Sequence, residues 1–261
     1  MPENTTPPPA RPENQPESRT SRPSMRYCAP LTTPKSMAPS HPAPPPASQE
    51  ELATRAAALA GLTLGAVASR IGMAVPADLR HAKGWVGQVL EAALGASGGA
   101  QAVHDFPELA IELKTLPLGS DGQPRETTYV CTADLTNVGE QWEETWVGRK
   151  LSHVLWVPVE ADPALAPGER RIGSPWFWRP AADELAQLQA DWEAFRDQLL
   201  LAGAASLTAH AGEALQIRPK AAHGRARTAA FDADGQPINV NPRGFYLRTT
   251  FTRQLLARAW G

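Results

Sequence analysis

Apolar positions recur with a helical period near both ends of the chain and with a period of two in its middle, after a leader that has neither. Residues 1–47 hold 14 of the 26 prolines, with Ser, Thr, Asn and Gln between them. A segment so poor in buriable surface is expected to be disordered. Met37 opens a shorter proline-rich leader that would serve as well as the full one. Translation from Met37 is therefore a hypothesis that mass spectrometry of the native N-terminus would decide. Order is expected from Ser48, whose hydroxyl can cap a helix while Glu51 reaches back to the Ser48 amide. Leu52, Ala56 and Leu59 mark one face of that helix, and Gly61 ends it. Thr63 caps a short second helix through Ile71, and Pro76 to Lys83 is a connector. A third helix over Gly84 to Leu94 puts Val86, Val89, Leu90 and Leu94 largely on one side before Gly95 stops it.

Past the glycine-rich stretch 95–100 the period drops to two, the sign of a sheet. The clearest strands are Leu109 to Thr115, Thr127 to Ala133 and His153 to Val159, with Arg171 to Trp178 weaker. Ala181 to Leu201 returns to helical spacing through Leu185, Leu188, Trp192, Phe195 and Leu199. Short strands are expected at Leu215 to Ile217 and Phe245 to Arg248, and a closing helix at Thr252 to Trp260. Helices, a mostly continuous sheet and more helices make residues 48–261 an α/β or α+β domain.

With 261 residues and 42% hydrophobic content, the chain can bury a substantial core. Cys28 and Cys131 are too few for a disulfide framework or a cysteine zinc site, so a reducing cytoplasm is the default. No apolar run approaches the roughly 20 residues of a bilayer span, and the N-terminus lacks the apolar core of a secretory signal. No membrane association is therefore expected. The net charge of −2 gives no general reason to expect nucleic-acid binding. Locally the picture changes. Ala214 to Gly261 carries eight basic residues against two acidic ones, Asp232 and Asp234, whereas Glu160 to Asp197 carries eight acids against four arginines. The first segment could meet a phosphate backbone and the second would repel one, although two solvated faces of opposite sign explain the pattern equally well.

Candidate chemistry concentrates between His104 and Lys114. Side chains on a strand alternate faces, so Glu112 and Lys114 project together while Ile111 and Leu113 point inward. Asp105 precedes the strand, and a turn through Pro107 would bring its carboxylate beside Glu112. Two carboxylates suit magnesium, which takes one or two protein carboxylates and keeps several waters, while a neighbouring lysine can orient or help deprotonate an attacking water. In isolation, Glu-x-Lys on the solvent face of a strand is ordinary decoration. Glu91, on the third helix, either faces this site or is merely solvated. The histidines lack zinc-like spacing, there is no glycine-rich phosphate loop or serine-nucleophile elbow, and the Trp176-Phe177-Trp178 cluster fits a buried sheet edge better than a base-stacking platform.

Several blocks taken together point further. They are Lys83-Gly84-Trp85 with Glu91 and Leu94-Gly95-Ala96-Ser97, then Asp105-Phe106 with Ile111-Glu112-Leu113-Lys114-Thr115. Glu126-Thr127-Thr128, Val154 to Val159, Arg171 to Pro175, Gln216-Ile217-Arg218-Pro219-Lys220 and Pro242 to Leu247 follow. In order and spacing they resemble the MutH family of mismatch-repair endonucleases from about Glu50 to Trp260, leaving out the leader. The resemblance implies a restriction-endonuclease-like core, with a mixed central sheet flanked by helices and two lobes around a DNA cleft. It implies Asp105, Glu112, Lys114, Glu91 and Lys150 as catalytic residues, the flanks of Lys150 being the least distinctive. Asp105, Glu112 and Leu113 would be the ligands of Mg2+. Lys83, Arg218, Pro219, Lys220, Arg243 and Tyr246 would bind DNA, with Tyr246 sensing adenine methylation. The implied activity is nicking of the unmethylated strand at hemimethylated GATC sites by a monomer, activated by MutL, which answers to MutS. The rival readings are a GATC-specific restriction enzyme cutting both strands, and a noncatalytic DNA-binding adaptor on the same fold.

Overall fold

The computed structural model describes residues 42–99, 103–137, 141–220 and 225–261. Most of the expected leader lies outside them, as do Met37, Cys28 and His223. Three helices come first: α1 (Gln49–Ala57), α2 (Leu64–Arg70) and α3 (Trp85–Leu94). Ser48 caps α1 as expected, its Oγ accepting the Glu51 amide at 3.2 Å. Glu51 does not close the box on Ser48; its carboxylate accepts the Ala47 amide at 2.8 Å and pairs with Arg55 at 2.5 Å. Arg55 is recruited because it also donates to the carbonyls of Pro44 and Leu94, tying the approach to α1 onto the end of α3. Thr63 caps α2 through the Ala66 amide. Gly95 stops α3 at φ 82°, a left-handed conformation that glycine adopts without steric cost.

The strands are β1 (Glu112–Leu118), β2 (Thr128–Thr132), β3 (Val154–Glu160), β4 (Trp176–Trp178), β5 (Leu215–Pro219), β6 (Thr228–Phe231), β7 (Pro237–Val240) and β8 (Arg243–Leu247). The helices α4 (Trp146–Ser152), α5 (Ala182–Ala202) and α6 (Thr249–Trp260) complete the described chain. β1 starts three residues later than its apolar pattern suggests. Pro107–Leu109 form a 3-10 turn and Ala110 sits at φ 51°, so the backbone cannot extend until that turn is complete. Neither α4 nor the β6–β7 hairpin is foreshadowed by periodicity.

The expected continuous sheet is divided. β1 and β3 run parallel with Glu112 opposite Val154 and Lys114 opposite Trp156, and β4 adds antiparallel to β3, making a mixed sheet. β2, β8 and β5 form a second, antiparallel sheet, and β6 and β7 pair only with each other. β3, the middle strand of the mixed sheet, is buried on both faces, which is why Val154 to Val159 reads as a near-continuous apolar run. Leu113, Leu155 and Val157 pack with Leu52, Leu64, Val89 and Leu90 in one core. Leu116, Val154 and Trp156 pack with Trp178, Leu188, Trp192 and Phe251 in the other. The protein thus has two cores with β1 and β3 as their common wall. The tryptophan cluster lies at the edge of the mixed sheet: Trp176 stacks on Trp156 at 5.9 Å and meets Trp260 at 5.1 Å, while the Trp178 indole donates to Glu184.

Candidate active site

Glu112 and Lys114 share the face of β1 that carries Leu116 and Leu118 into the second core further along the strand. At its start, before the strand is covered, that face borders a cleft of about 850 Å³ between the lobes. Glu112 is 1% exposed, and two ammonium groups satisfy its carboxylate. Lys114 Nζ donates to one oxygen at 2.5 Å, and Lys150 Nζ donates to both at 2.7 Å. Lys150 comes from α4, the short helix that periodicity missed, and its ammonium also stands 4.9 Å from the centre of the Trp146 ring. The two main chains are held as tightly, with the Glu112 amide donating to the His153 carbonyl at 3.0 Å.

Asp105 reaches the site from the turn before β1, and one of its carboxylate oxygens accepts the Leu113 amide at 2.8 Å. Its main-chain carbonyl accepts the amides of Ser97 and Gly98, fastening it to the segment after α3. Glu91, on α3 itself, lines the same cleft and settles the choice left by the sequence: it faces the site. Burial first, and then the neighbouring Glu112, push the Asp105 carboxyl above the usual carboxylate range. Burial and then Asp105 do the same to Glu91. For Lys114, burial pulls the pKa down, but Glu112 and Asp105 together outweigh it, so the group is held above its ordinary value and stays an ammonium.

Among the described residues no group of three acidic, histidine or cysteine side chains already converges as a metal cage. The donor chemistry nevertheless fits a hard divalent ion. Asp105 and Glu91 are carboxylates whose proton affinity is raised by burial and by a neighbouring acid, Glu112 for the first and Asp105 for the second, and Glu112 already draws two cationic nitrogens to its oxygens. Leu113 turns its side chain into the first core, so only its main chain could contribute a ligand.

Gly98 is a sensitive position beside this cluster. A Cβ there would run into the His104 carbonyl and sit 3.2 Å from the Asp105 Cα. Gly98→Ala is expected to lower any hydrolysis carried out by this cluster about tenfold or more by displacing Asp105, since misplacement by about 1 Å can cost a hundredfold. Steady-state rates read beside melting curves check this, and a variant with parental activity would show that Asp105 needs no such support.

Apart from Lys83, the residues expected to touch DNA fall on the second sheet or directly after its strand β5, and the pleat sorts them. Tyr246 pairs with Tyr129 on one side and Gln216 on the other, while Gly244 pairs with Thr132 and Arg218. Arg218 lies over the Tyr246 ring at 5.3 Å and donates to Thr127 Oγ1 at 3.0 Å. Lys220 Nζ stands 2.8 Å from the centre of the Tyr129 ring, and the two tyrosines meet edge to face at 5.3 Å. Tyr129, not singled out from the sequence, belongs to this cluster; its alternation with buried Val130 on β2 was the available signal. Arg243 stands an odd number of positions from Gly244 and Tyr246 on β8, so it is out of phase with this face. It projects from the opposite side with Phe245 and donates to the Ala204 carbonyl at 3.3 Å, so the structure separates it from Arg218, Lys220 and Tyr246. Pro219 is on that opposite side too, although exposed. Lys83 lines a second arm of the cleft with Arg80 and Arg170, which meets the first at Glu91, Lys114 and Tyr129.

Much of the C-terminal basic excess is spent within the fold. Arg258 pairs with Asp183 and Glu184 of α5, Arg253 donates to Gln123, and Arg248 turns inward to the carbonyls of Ala209, His210 and Ala211. The basic and acidic segments therefore partly neutralise each other within the fold.

A sequence profile described as "DNA mismatch repair enzyme MutH" matches residues 94–191, a stretch that contains Asp105, Glu112, Lys114 and Lys150. The chain is similar to "DNA mismatch repair protein MutH" of Vibrio cholerae serotype O1 (strain M66-2), with 52% identity over 216 residues, covering 82% of this chain and 98% of that one. It is similar to the protein of the same description from Yersinia enterocolitica serotype O:8 / biotype 1B, at 49% identity over 218 residues, 83% of this chain and 96% of the relative. The Salmonella paratyphi B protein is 50% identical over 215 residues, 82% of this chain and 93% of that one.

Proposed function

The chain belongs to the MutH family of DNA mismatch repair enzymes, and on that premise we propose that it nicks the unmethylated strand at hemimethylated GATC sites by magnesium-dependent phosphodiester hydrolysis. The observation that carries the chemical part is the meeting of Asp105, Glu91, Glu112, Lys114 and Lys150 around one cleft that also reaches Tyr129 of the second sheet. DNA lying in that cleft would have its backbone at the carboxylates of one lobe and its base edges at Arg218, Lys220 and Tyr246 of the other.

Bound between Asp105, Glu112 and the Leu113 main chain, Mg2+ would supply Lewis-acid stabilisation of phosphoryl charge and a water made acidic enough to attack near neutral pH. The side chains of the site have separate tasks. Asp105 is held in place by the Leu113 amide, so its carboxylate is set before substrate arrives. Lys114, its pKa held above the ordinary value by Glu112 and Asp105, is a donor able to orient a water or a phosphate oxygen. Lys150, bridging both oxygens of Glu112, keeps that carboxylate aimed into the cleft and leaves a second positive charge beside the scissile phosphate. The Glu112–lysine hydrogen bonds would loosen as a divalent ion takes over their charge.

Arg218 and Lys220 carry donors suited to guanine N7 and O6, and Tyr246 presents a ring that would touch a methyl group on adenine N6. Activation by MutL downstream of MutS, action as a monomer and work on DNA in the cytoplasm complete the reading. Among the described residues no helix is long and apolar enough to cross a membrane.

The test is a nicking assay on unmethylated, hemimethylated and fully methylated GATC duplexes with and without MutL. Nicks confined to the unmethylated strand and increased by MutL are expected. Efficient cutting of both strands without MutL would identify a restriction enzyme instead, and DNA binding with no cleavage would identify an adaptor.

A further inference from the structure

β5, the strand that carries Arg218 and leads into Lys220, is an edge strand among the described residues: of their strands it pairs with β8 alone. A strand held on one side needs another device to fix where it begins, because a one-residue slip would turn Arg218 to the opposite face. The segment leading into it, residues 209–215, is gripped from two directions. Asp191 of α5, a carboxylate in a nearly buried residue, accepts three consecutive amides. The Glu213 amide approaches both of its oxygens at 2.9 and 3.0 Å, and those of Ala214 and Leu215 approach Oδ2 at 2.7 and 2.8 Å. The Arg248 guanidinium donates to three consecutive carbonyls, Ala209, His210 and Ala211, at 2.9 to 3.1 Å. Between the two grips lies Gly212 at φ 79°, where a Cβ would strike the Leu215 carbonyl and the Phe195 ring.

Arg248 also connects the two strands that face DNA. It directly follows β8, which bears Tyr246, and its own amide donates to the Ala214 carbonyl at 2.8 Å. One acid and one base of opposite sign thus hold a single loop by its donors and its acceptors. The strand bearing Arg218 and the strand bearing Tyr246 are fastened at the same point. Both side chains spend their hydrogen bonds on the main chain of this loop, which makes any part they take in recognition indirect.

We infer that Asp191 and Arg248 are positioning residues for sequence recognition, setting the axial position of β5 so that Arg218 rests on Tyr246 and Lys220 on Tyr129. This rests on the reading of Arg218 and Lys220 as base-contacting residues. It separates recognition from chemistry, because Glu112 and Lys114 stand on a different sheet, with Asp105 in the turn before it, and have their own supports.

Asp191→Asn keeps the shape of the side chain but loses the charge and one of the two acceptor oxygens that the three amides share. It is expected to raise KM for a GATC duplex and to lower the preference for GATC over sites with one altered base pair by about tenfold, the scale of one lost base contact. Its kcat at saturating DNA should stay within about twofold of the parent, and the amides of Glu213 to Leu215 should lose hydrogen-exchange protection. Arg248→Gln should act in the same direction. Arg218→Ala is the reference variant. If it loses discrimination while Asp191→Asn keeps both KM and discrimination, the positioning role falls. If Asp191→Asn loses kcat and KM performance in parallel on every sequence, the residue is merely structural and the inference falls likewise. If Arg218→Ala itself discriminates as well as the parent, the reading of β5 fails and takes this inference with it.

Discussion

Asp105→Asn is expected to slow nicking by about a hundredfold to a thousandfold, the range seen when a preorganised electrostatic contact to a developing charge is removed, and to leave the melting temperature within a few degrees of the parent. The reason for choosing this residue over Glu112 is geometric. Asp105 receives one main-chain amide, and an asparagine oxygen can still accept it. Only the charge and one potential ligand oxygen are lost. Glu112→Gln removes as much chemistry but leaves two buried ammonium groups, Lys114 and Lys150, facing an amide. Breaking a buried pair by removing one partner costs about 3–5 kcal/mol, which for a chain of this size means roughly ten degrees or more of melting temperature. The pair of variants therefore separates catalysis from folding. Single-turnover nicking in magnesium, DNA binding in calcium and thermal melts are the measurements. Parental nicking by Asp105→Asn would remove the carboxylate from the mechanism, and a Glu112→Gln variant as stable as the parent would show that the two lysines do not depend on it.

What could be read from the sequence at this site was what strand geometry dictates. Alternation placed Glu112 and Lys114 on one face and Leu113 on the other, and that is how they stand. Lys150 could be located only through likeness to the family. Its helix has seven residues and contains Gly148, too short and too weakly patterned for a helical period to emerge. The start of β1 was misplaced for a related reason. Leu109 and Ile111 look like alternating strand positions, but the left-handed Ala110 turns the chain between them, and composition carries no sign of a non-glycine residue in that conformation. The β6–β7 hairpin had a turn signal, Asp232-Ala233-Asp234-Gly235 with Gly235 at φ 75°, yet its half-exposed strands lack the apolar alternation that would have completed the pattern.

Charge counting succeeded in sign and failed in detail. The basic C-terminal segment does place Arg218 and Lys220 against the Tyr246 and Tyr129 rings of the second sheet. Arg243, Arg248, Arg253 and Arg258 are instead spent on carbonyls, an amide side chain and the acids of α5. A net charge sums side chains without regard to direction, and direction is fixed by the two-residue repeat of β8 and by partners 37 to 130 residues away in sequence. The same limit explains Asp191. Within an acidic helix it looked like one more solvated carboxylate, and only the packing of α5 against β5 brings three amides to it.

Tyr246→Ala is expected to lower the ratio of nicking on hemimethylated over fully methylated GATC by about tenfold or more, because a ring in contact with adenine N6 discriminates a methyl group by steric exclusion, an effect of roughly 10- to 200-fold for one added carbon in a fitted site. The loss should exceed that of a ring alone. Arg218 lies on the face of Tyr246 and Tyr129 meets it edge on, so truncation also removes the platform that fixes the guanidinium. Discrimination against altered base pairs should therefore fall along with methyl discrimination. Tyr246→Phe keeps the ring and both of these contacts while deleting the hydroxyl. If exclusion by the ring is the mechanism, the phenylalanine variant should retain methyl discrimination to within about threefold; if a hydrogen bond from the hydroxyl were responsible, its loss would be far larger than one carbon's worth. The nicking ratios of the two variants, measured on the same three duplexes, decide between contact and hydrogen bonding. An alanine variant that still refuses fully methylated DNA as the parent does would place the methyl sensor elsewhere in the cleft.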